Sequence, residues 1–328
     1  MKLLLVILAV LAGLVVVLEV GLRLLFGFGN PPIYIGDEKI GYLLAPNQRT
    51  RRFGNRIAIN EYSMRSPTIT LKRPASTLRV LLLGDSIANG GWWTDQTDTL
   101  SALMTQQLQS ANHSYSQVEA LNASANSWCP RNELAYLQRF GTFEAQILVL
   151  LINTDDLFGT APTSLPVGRD RNYPDRKPPL NLALAEVFNR YLTKAPSIPE
   201  MRAVQAEEGD RVGRNLEAIE QIKTLVNASG AQFLLAMTPL LREIGEPGPR
   251  DYELKARQRL TDFAQAQNIT YIDFLPVFNS TEAPETLYRD HIHLSPQGNQ
   301  IVNEAIGRSL QTLLPQAMAP TATTETTR

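Results

Sequence analysis

From residue 78 onward, short apolar runs with the length and composition of buried strands alternate with longer stretches of helical periodicity, an alternation that few folds satisfy. Residues 78–83, 117–121, 147–152, 232–237 and 270–274 read as strands; residues 100–108, 130–140, 211–228, 251–266 and 296–314 read as helices. The last helix opens on Pro296, whose fixed φ suits a first helical turn. Strands and helices in this order imply an α/β layered fold, with a central parallel sheet and helices on both faces. The expected core spans residues 78–315, long enough for one sizeable domain.

Ahead of that core lies a different physical object. Residues 3–18 are sixteen uninterrupted apolar or small residues, and the apolar pattern continues past Glu19 and Arg23 to Phe28. At about 1.5 Å per residue this is enough to span a bilayer. A secretory signal has a shorter apolar core and an A-x-A-like cleavage site, and no such site follows Leu18. Residues 1–28 are therefore expected to form an uncleaved transmembrane anchor or signal segment, in contact with the membrane through residues 3–28. Lys2 on one side and Arg23, Arg49, Arg51 and Arg52 on the other give conflicting charge cues; because long domains translocate largely regardless of charge, the domain is expected outside the cytoplasm.

Residues 29–77, rich in Pro, Gly, Arg and polar residues, read as a stalk and surface strap. The rhythm of the core breaks at 158–210, where seven prolines from Pro162 to Pro199 surround one candidate helix at 180–192. This insertion is expected to be a lid or acceptor-binding element, or else an irregular surface excursion. The Thr-dominated tail, 316–328, is expected to be disordered. With a formal net charge of −1 and no basic patch, the chain lacks the footprint of a nucleic-acid binder. Cys129 is its only cysteine, so no internal disulfide can form.

Chemistry concentrates at two points. Gly84-Asp85-Ser86 closes the first core strand, which puts Ser86 at the carboxyl end of a strand, where open α/β sheets place ligands. Near the other end, Asp290 and His293 are three residues apart, close enough for the carboxylate to accept one ring N–H while the other nitrogen faces a serine. Of the three histidines, His113 lies in a polar stretch away from both points. Each feature also has a plain structural reading: Ser86 as a helix N-cap, Asp290 with His293 as a loop ion pair, Asp155-Asp156 as a solvated strand end. His291 and His293 with Asp290 also suggest a metal site, but no further histidine cluster or HExxH completes three ligands.

Taken in order, these segments resemble the SGNH, or GDSL-type, serine hydrolases, whose four short blocks carry a serine, a glycine, an asparagine and an Asp-x-x-His pair. The likeness runs over about residues 78–312, without motif support in 157–208. It implies a flavodoxin-like three-layer sandwich, Ser86 as nucleophile, His293 as general base, Asp290 as its orienting partner and the Ser86 backbone N–H as an oxyanion donor. The middle blocks depart from the family pattern. Ser127, within Asn122-Ala123-Ser124-Ala125-Asn126-Ser127-Trp128, stands where the family has an oxyanion glycine; its backbone N–H can still serve if the dihedrals suit a non-glycine residue. In Asn153-Thr154-Asp155-Asp156, Asp155 stands where an amide donor is expected. Either Asp155 is protonated and donates, or Asn153 supplies the amide; one missing donor costs about 3 kcal/mol of transition-state stabilisation.

The implied activity is that of a membrane-anchored serine esterase acting without a cofactor or metal on an ester, with polysaccharide and lipid esters as candidate substrates. Trp92, Trp93 and His291 are candidate substrate-binding residues, although tryptophans here equally suit rim packing. Two other readings stay open: an O-acyltransferase using the same site, and a tethered binding or assembly protein that kept the fold but lost oxyanion stabilisation.

Overall fold

In this computed structural model, residues 1–111 and 115–317 are described; His113 and residues 318–328, most of the tail expected to be disordered, lie outside them. In chain order the elements are α1 (Lys2–Phe26), β1 (Tyr34–Asp37), β2 (Gly41–Leu44), β3 (Gln48–Arg52), β4 (Asn55–Ile59), β5 (Thr77–Gly84), α2 (Ser86–Asn89), α3 (Leu100–Gln109), β6 (Gln117–Ser124), α4 (Pro130–Phe140) and β7 (Ile147–Asn153). After a 3₁₀ turn at Thr154–Phe158 come α5 (Ala183–Val187), α6 (Met201–Gln205), α7 (Arg211–Ala228), β8 (Gln232–Thr238), α8 (Asp251–Ala266), β9 (Thr270–Asp273), α9 (Phe274–Asn279) and α10 (Pro296–Ala317).

Packing divides the chain into two units. One comprises residues 68–90, 97–161 and 207 onward, and it holds the five-stranded parallel sheet, ordered β6-β5-β7-β8-β9. That is the flavodoxin-like doubly wound order, with its topological switch point at β5 and β7. Every residue of β5 and β7 is buried, as the near-continuous apolar runs demand of strands covered on both faces. Leu78, Val80 and Leu82 of β5 join Met104 and Leu108 of α3 and Val302, Ile306 and Leu310 of α10 in one core layer. Helices α4, α7 and α8 pack together in the other layer.

The second unit comprises residues 1–67, 91–96 and 162–206, so the strap and most of the insertion belong together. It contains α1, a helix long and apolar enough to cross a membrane, with no side chain buried. Where an irregular strap was expected, two antiparallel hairpins form, β1 with β2 and β3 with β4. The second turns on Phe53 and Gly54, both at positive φ (49° and 89°), the conformation of a two-residue hairpin turn matched to strand twist. Over 180–192 the single expected helix is broken. Leu180 and Asn181 sit at φ 53° and 54°, after which only α5 and one wide turn at Phe188–Leu192 follow. The strand expected over 270–274 ends at Asp273, whose carboxylate accepts the Leu275 N–H at 2.9 Å and so starts α9 at Phe274.

Candidate active site

The turn after β5 is built by three residues with separate tasks. A Cβ on Gly84 would lie 2.5 Å from the Leu151 carbonyl oxygen, so only glycine lets β5 and β7 approach this closely. Asp85 Oδ1 accepts the Ile87 N–H at 2.8 Å, so Asp85, rather than Ser86, caps α2. Ser86 takes the first helical position, and its hydroxyl is left for other work.

That hydroxyl meets the far end of the chain. Ser86 Oγ is 3.0 Å from His293 Nε2, and His293 Nδ1 is 2.9 Å and 3.1 Å from the two oxygens of Asp290. Asp290 Oδ1 also accepts the backbone N–H groups of His293 (2.9 Å) and Ile292 (3.0 Å). Partial burial pushes the Asp290 pKa up, but these hydrogen bonds outweigh it and hold the carboxyl below its usual range, as a stable acceptor for the ring N–H. The loop itself is pinned. Arg289 N–H donates to the His293 carbonyl at 2.8 Å, Leu241 N–H to the His291 carbonyl at 3.0 Å, and the Tyr288 hydroxyl to the Pro239 carbonyl at 2.6 Å.

The second block is tied to α2 through side chains. Asn122 donates to the Ala88 carbonyl at 2.7 Å, and Asn89 donates to the Ser124 carbonyl at 3.2 Å. Beyond this clamp Ser127 sits at φ 59°, in the left-handed region that favours glycine. The dihedral here is the one that favours glycine, and serine adopts it at a cost of about 1 kcal/mol.

The third block departs from expectation at Asn153. Its amide nitrogen lies 2.8 Å from Asp85 Oδ2 and 2.9 Å from Asp156 Oδ2, so both amide hydrogens have carboxylate acceptors, and its own oxygen accepts the Asp155 N–H at 2.7 Å. Asn153 is thus a buried clamp between β7 and the nucleophile turn, with no amide hydrogen left for an oxyanion. Asp155 is exposed. Partial desolvation raises its pKa, opposed by the neighbouring Arg242 guanidinium and by His291. Behind it, Thr154 donates to Glu243 at 2.6 Å, and Arg257 donates to Thr154 (2.9 Å) and Asp273 (2.7 Å), fixing the 3₁₀ turn.

His291 is exposed, its Nδ1 3.9 Å from Asp290 Oδ1. Trp92 and Trp93 belong to the other unit, where the Trp92 ring packs 5.1 Å from Phe53 and 5.7 Å from Trp93. Among the described residues, no group of three or more His, Cys, Asp or Glu is arranged to hold a metal ion.

One group escaped the sequence reading. Glu133 of α4 is fully buried, and neither carboxyl oxygen has a hydrogen-bond partner. Burial, reinforced by the nearby Asp85 charge, raises its pKa well above the carboxylate range. Burial likewise raises Asp156, with Asp85 and Glu133 adding to it, and raises Asp85 against the hydrogen bond from Ile87. Its signal was present: Glu133 lies three and four residues before the buried Tyr136 and Leu137, on the apolar face of α4.

Ser86, His293 and Asp290 thus lie in one hydrogen-bonded line at the switch point of a doubly wound parallel sheet. The model of the GDSL-like lipase/acylhydrolase family matches residues 82–301, and the chain belongs to that family of ester-bond hydrolases. Solved structures similar to it include an acetylxylan esterase from Geobacillus stearothermophilus (16% identity, 71% of this chain and 93% of that one, TM-score 0.47). A second acetyl xylan esterase (14%, 71% and 99%, TM-score 0.47) and a lipase/acylhydrolase from Enterococcus faecalis (15%, 71% and 95%, TM-score 0.43) are also similar. No curated protein matches it in sequence.

Proposed function

We propose that this chain is a membrane-anchored serine esterase that cleaves an O-acyl ester, with a carbohydrate ester as the first substrate class to test, through a covalent Ser86 acyl-enzyme. The observation that carries the proposal is the hydrogen-bonded line from Ser86 Oγ through His293, at 3.0 Å, to Asp290, at 2.9 Å. His293 Nε2 takes the Ser86 proton as Oγ bonds to the acyl carbon, and Asp290 stabilises the imidazolium that forms. As the tetrahedral intermediate collapses, the same proton passes to the departing alcohol, leaving the acyl group on Ser86. Water then gives its proton to His293 and its hydroxyl to the acyl carbon; the acyl–Oγ bond breaks as His293 returns that proton to Oγ, releasing the acid and restoring Ser86. The backbone N–H groups of Ser86 and Ser127 are the proposed oxyanion donors, and the Asp155 carboxyl is the proposed third element.

Anchoring through α1 is supported by contacts within its own unit. Glu19 accepts the N–H groups of Ala183 (2.8 Å) and Leu184 (2.9 Å), contacts that tie α1 to the insertion and favour a retained anchor over a cleaved leader. The catalytic domain is proposed to lie outside the cytoplasm.

The test is turnover by the full chain in detergent on acetylated oligosaccharides and on lipid esters, run in H₂¹⁸O with a sugar alcohol present. Label in the released acid with loss of turnover in Ser86→Ala supports the esterase. Acyl transfer to the sugar without label makes the chain a transferase, and turnover that survives Ser86→Ala overturns the mechanism.

A further inference from the structure

The foot of α1 has a built environment that catalysis does not use. A hydrocarbon layer takes about 20 helical residues. Counted from Lys2, the boundary falls close to Glu19 and Arg23. Those two side chains pair at 2.6 Å and hold the 181–184 segment against the helix, through Glu19 to Ala183 and Leu184 and through Arg23 to the Asn181 carbonyl. The segment therefore sits at the level where the helix leaves the apolar layer.

Two features of that level fit a lipid. The first is a cavity of about 360 Å³ lined by Arg23, Arg51, Lys177, Gly27, Asn30 and Asn181; three are cationic, of which Arg23 is already paired with Glu19. Arg51 also donates to the Leu24 carbonyl, which fixes one cation at the carboxyl end of α1. The second is apolar. Leu180, Phe188 and Leu192 are 86%, 56% and 72% exposed, an arrangement costly in water. Phe188 and Leu192 also line a hollow of about 410 Å³ with Pro179 and Leu184. Cations at headgroup depth beside exposed apolar side chains are what a peripheral membrane contact requires.

We propose that residues 177–192, with Arg23 and Arg51, form a collar that binds an anionic phospholipid: its phosphate in the cationic cavity, its acyl chain against Phe188 and Leu192. This rests on the reading of α1 as membrane-spanning. The collar ties the insertion to the bilayer surface beside α1.

The experiment uses the full chain in two arms. Native mass spectrometry from detergent, with phosphatidylglycerol, phosphatidylcholine or inorganic phosphate titrated in, should show phosphatidylglycerol favoured over phosphatidylcholine by about ten-fold. Lys177→Gln and Arg51→Gln together should remove most of that preference. Equal binding of the two lipids, a preference unchanged in the double variant, or displacement by millimolar phosphate would overturn the proposal. Lys177→Gln alone, at an exposed side chain, serves if the Arg51 variant misfolds. In the second arm, Cys129 is buried, so a bimane on Leu192→Cys reports alone. Shallow nitroxide lipids in nanodiscs should quench it. Quenching of Val10→Cys without quenching at position 192 overturns the collar, whereas failure at both positions means that α1 itself is not inserted.

Discussion

Replacing Glu133 with methionine should stabilise the protein, by an amount that grows with pH. Glu133 is fully buried, and both its oxygens lack partners, a condition that costs about 1–3 kcal/mol against an apolar side chain of similar size. The pH-linked part adds to this. Its folded pKa is raised above the unfolded value, so between the two the native state holds a proton that the unfolded state has lost. Stability therefore falls as pH rises through that window, by up to about 1.4 kcal/mol per unit, and is fully retained below the unfolded pKa. Glu133→Met lacks this loss. Its advantage should be smallest near pH 4.5 and rise with that slope until the folded pKa is reached, with Asp85 and Asp156 leaving a residual slope in both proteins. Glu133→Gln should gain the slope but keep most of the unsatisfied-group cost. Urea unfolding of the full chain in non-ionic detergent, followed by near-UV circular dichroism from pH 4.5 to 8, measures all three. A destabilised Glu133→Met, or an advantage flat across pH, would refute the buried neutral carboxyl.

Other substitutions probe the remaining blocks. Ser127→Gly should stabilise the chain by about 1 kcal/mol and keep turnover, because glycine takes φ 59° without the Cβ penalty; a loss of stability in urea would contradict it. Asn153→Leu strips Asp85 and Asp156 of their amide donor and should cost about 3 kcal/mol, with kcat falling more than KM rises as the Ser86 turn loosens; unchanged unfolding would show the clamp to be slack. Asp155→Asn should raise kcat about ten-fold or more if that side chain faces the developing oxyanion, since an amide donor replaces a carboxyl; steady-state kinetics that do not change would remove Asp155 from the oxyanion site.

The parallel sheet was legible because its central strands, β5, β7 and β8, are buried on both faces and so are almost purely apolar, and because helical periodicity separates the strands. The hairpins at 34–59 were not. Their strands are only four or five residues long, and Gln48–Arg52 is wholly polar, so the signal of the second hairpin lies in a positive-φ turn at Phe53-Gly54, not in periodicity. At 180–192 the apolar spacing suggested a helix, but the backbone breaks at Leu180 and Asn181, where Glu19 of α1 supplies the cap from far away in sequence. The same limit applied at the site. Ser86, Asp290 and His293 stand out because each lies in a short recognisable block. Asn153 stayed open as an alternative oxyanion amide, because nothing local reveals that Asp85 and Asp156 converge on it.

The most direct test of the central claim is covalent labelling of the full chain by a fluorophosphonate, with the adduct located by mass spectrometry in wild type, Ser86→Ala and His293→Ala. The account predicts one adduct, on Ser86, absent from Ser86→Ala and reduced by several orders of magnitude in His293→Ala. A folded wild-type protein that takes no label, or labelling of Ser86 at an unchanged rate without His293, would contradict it.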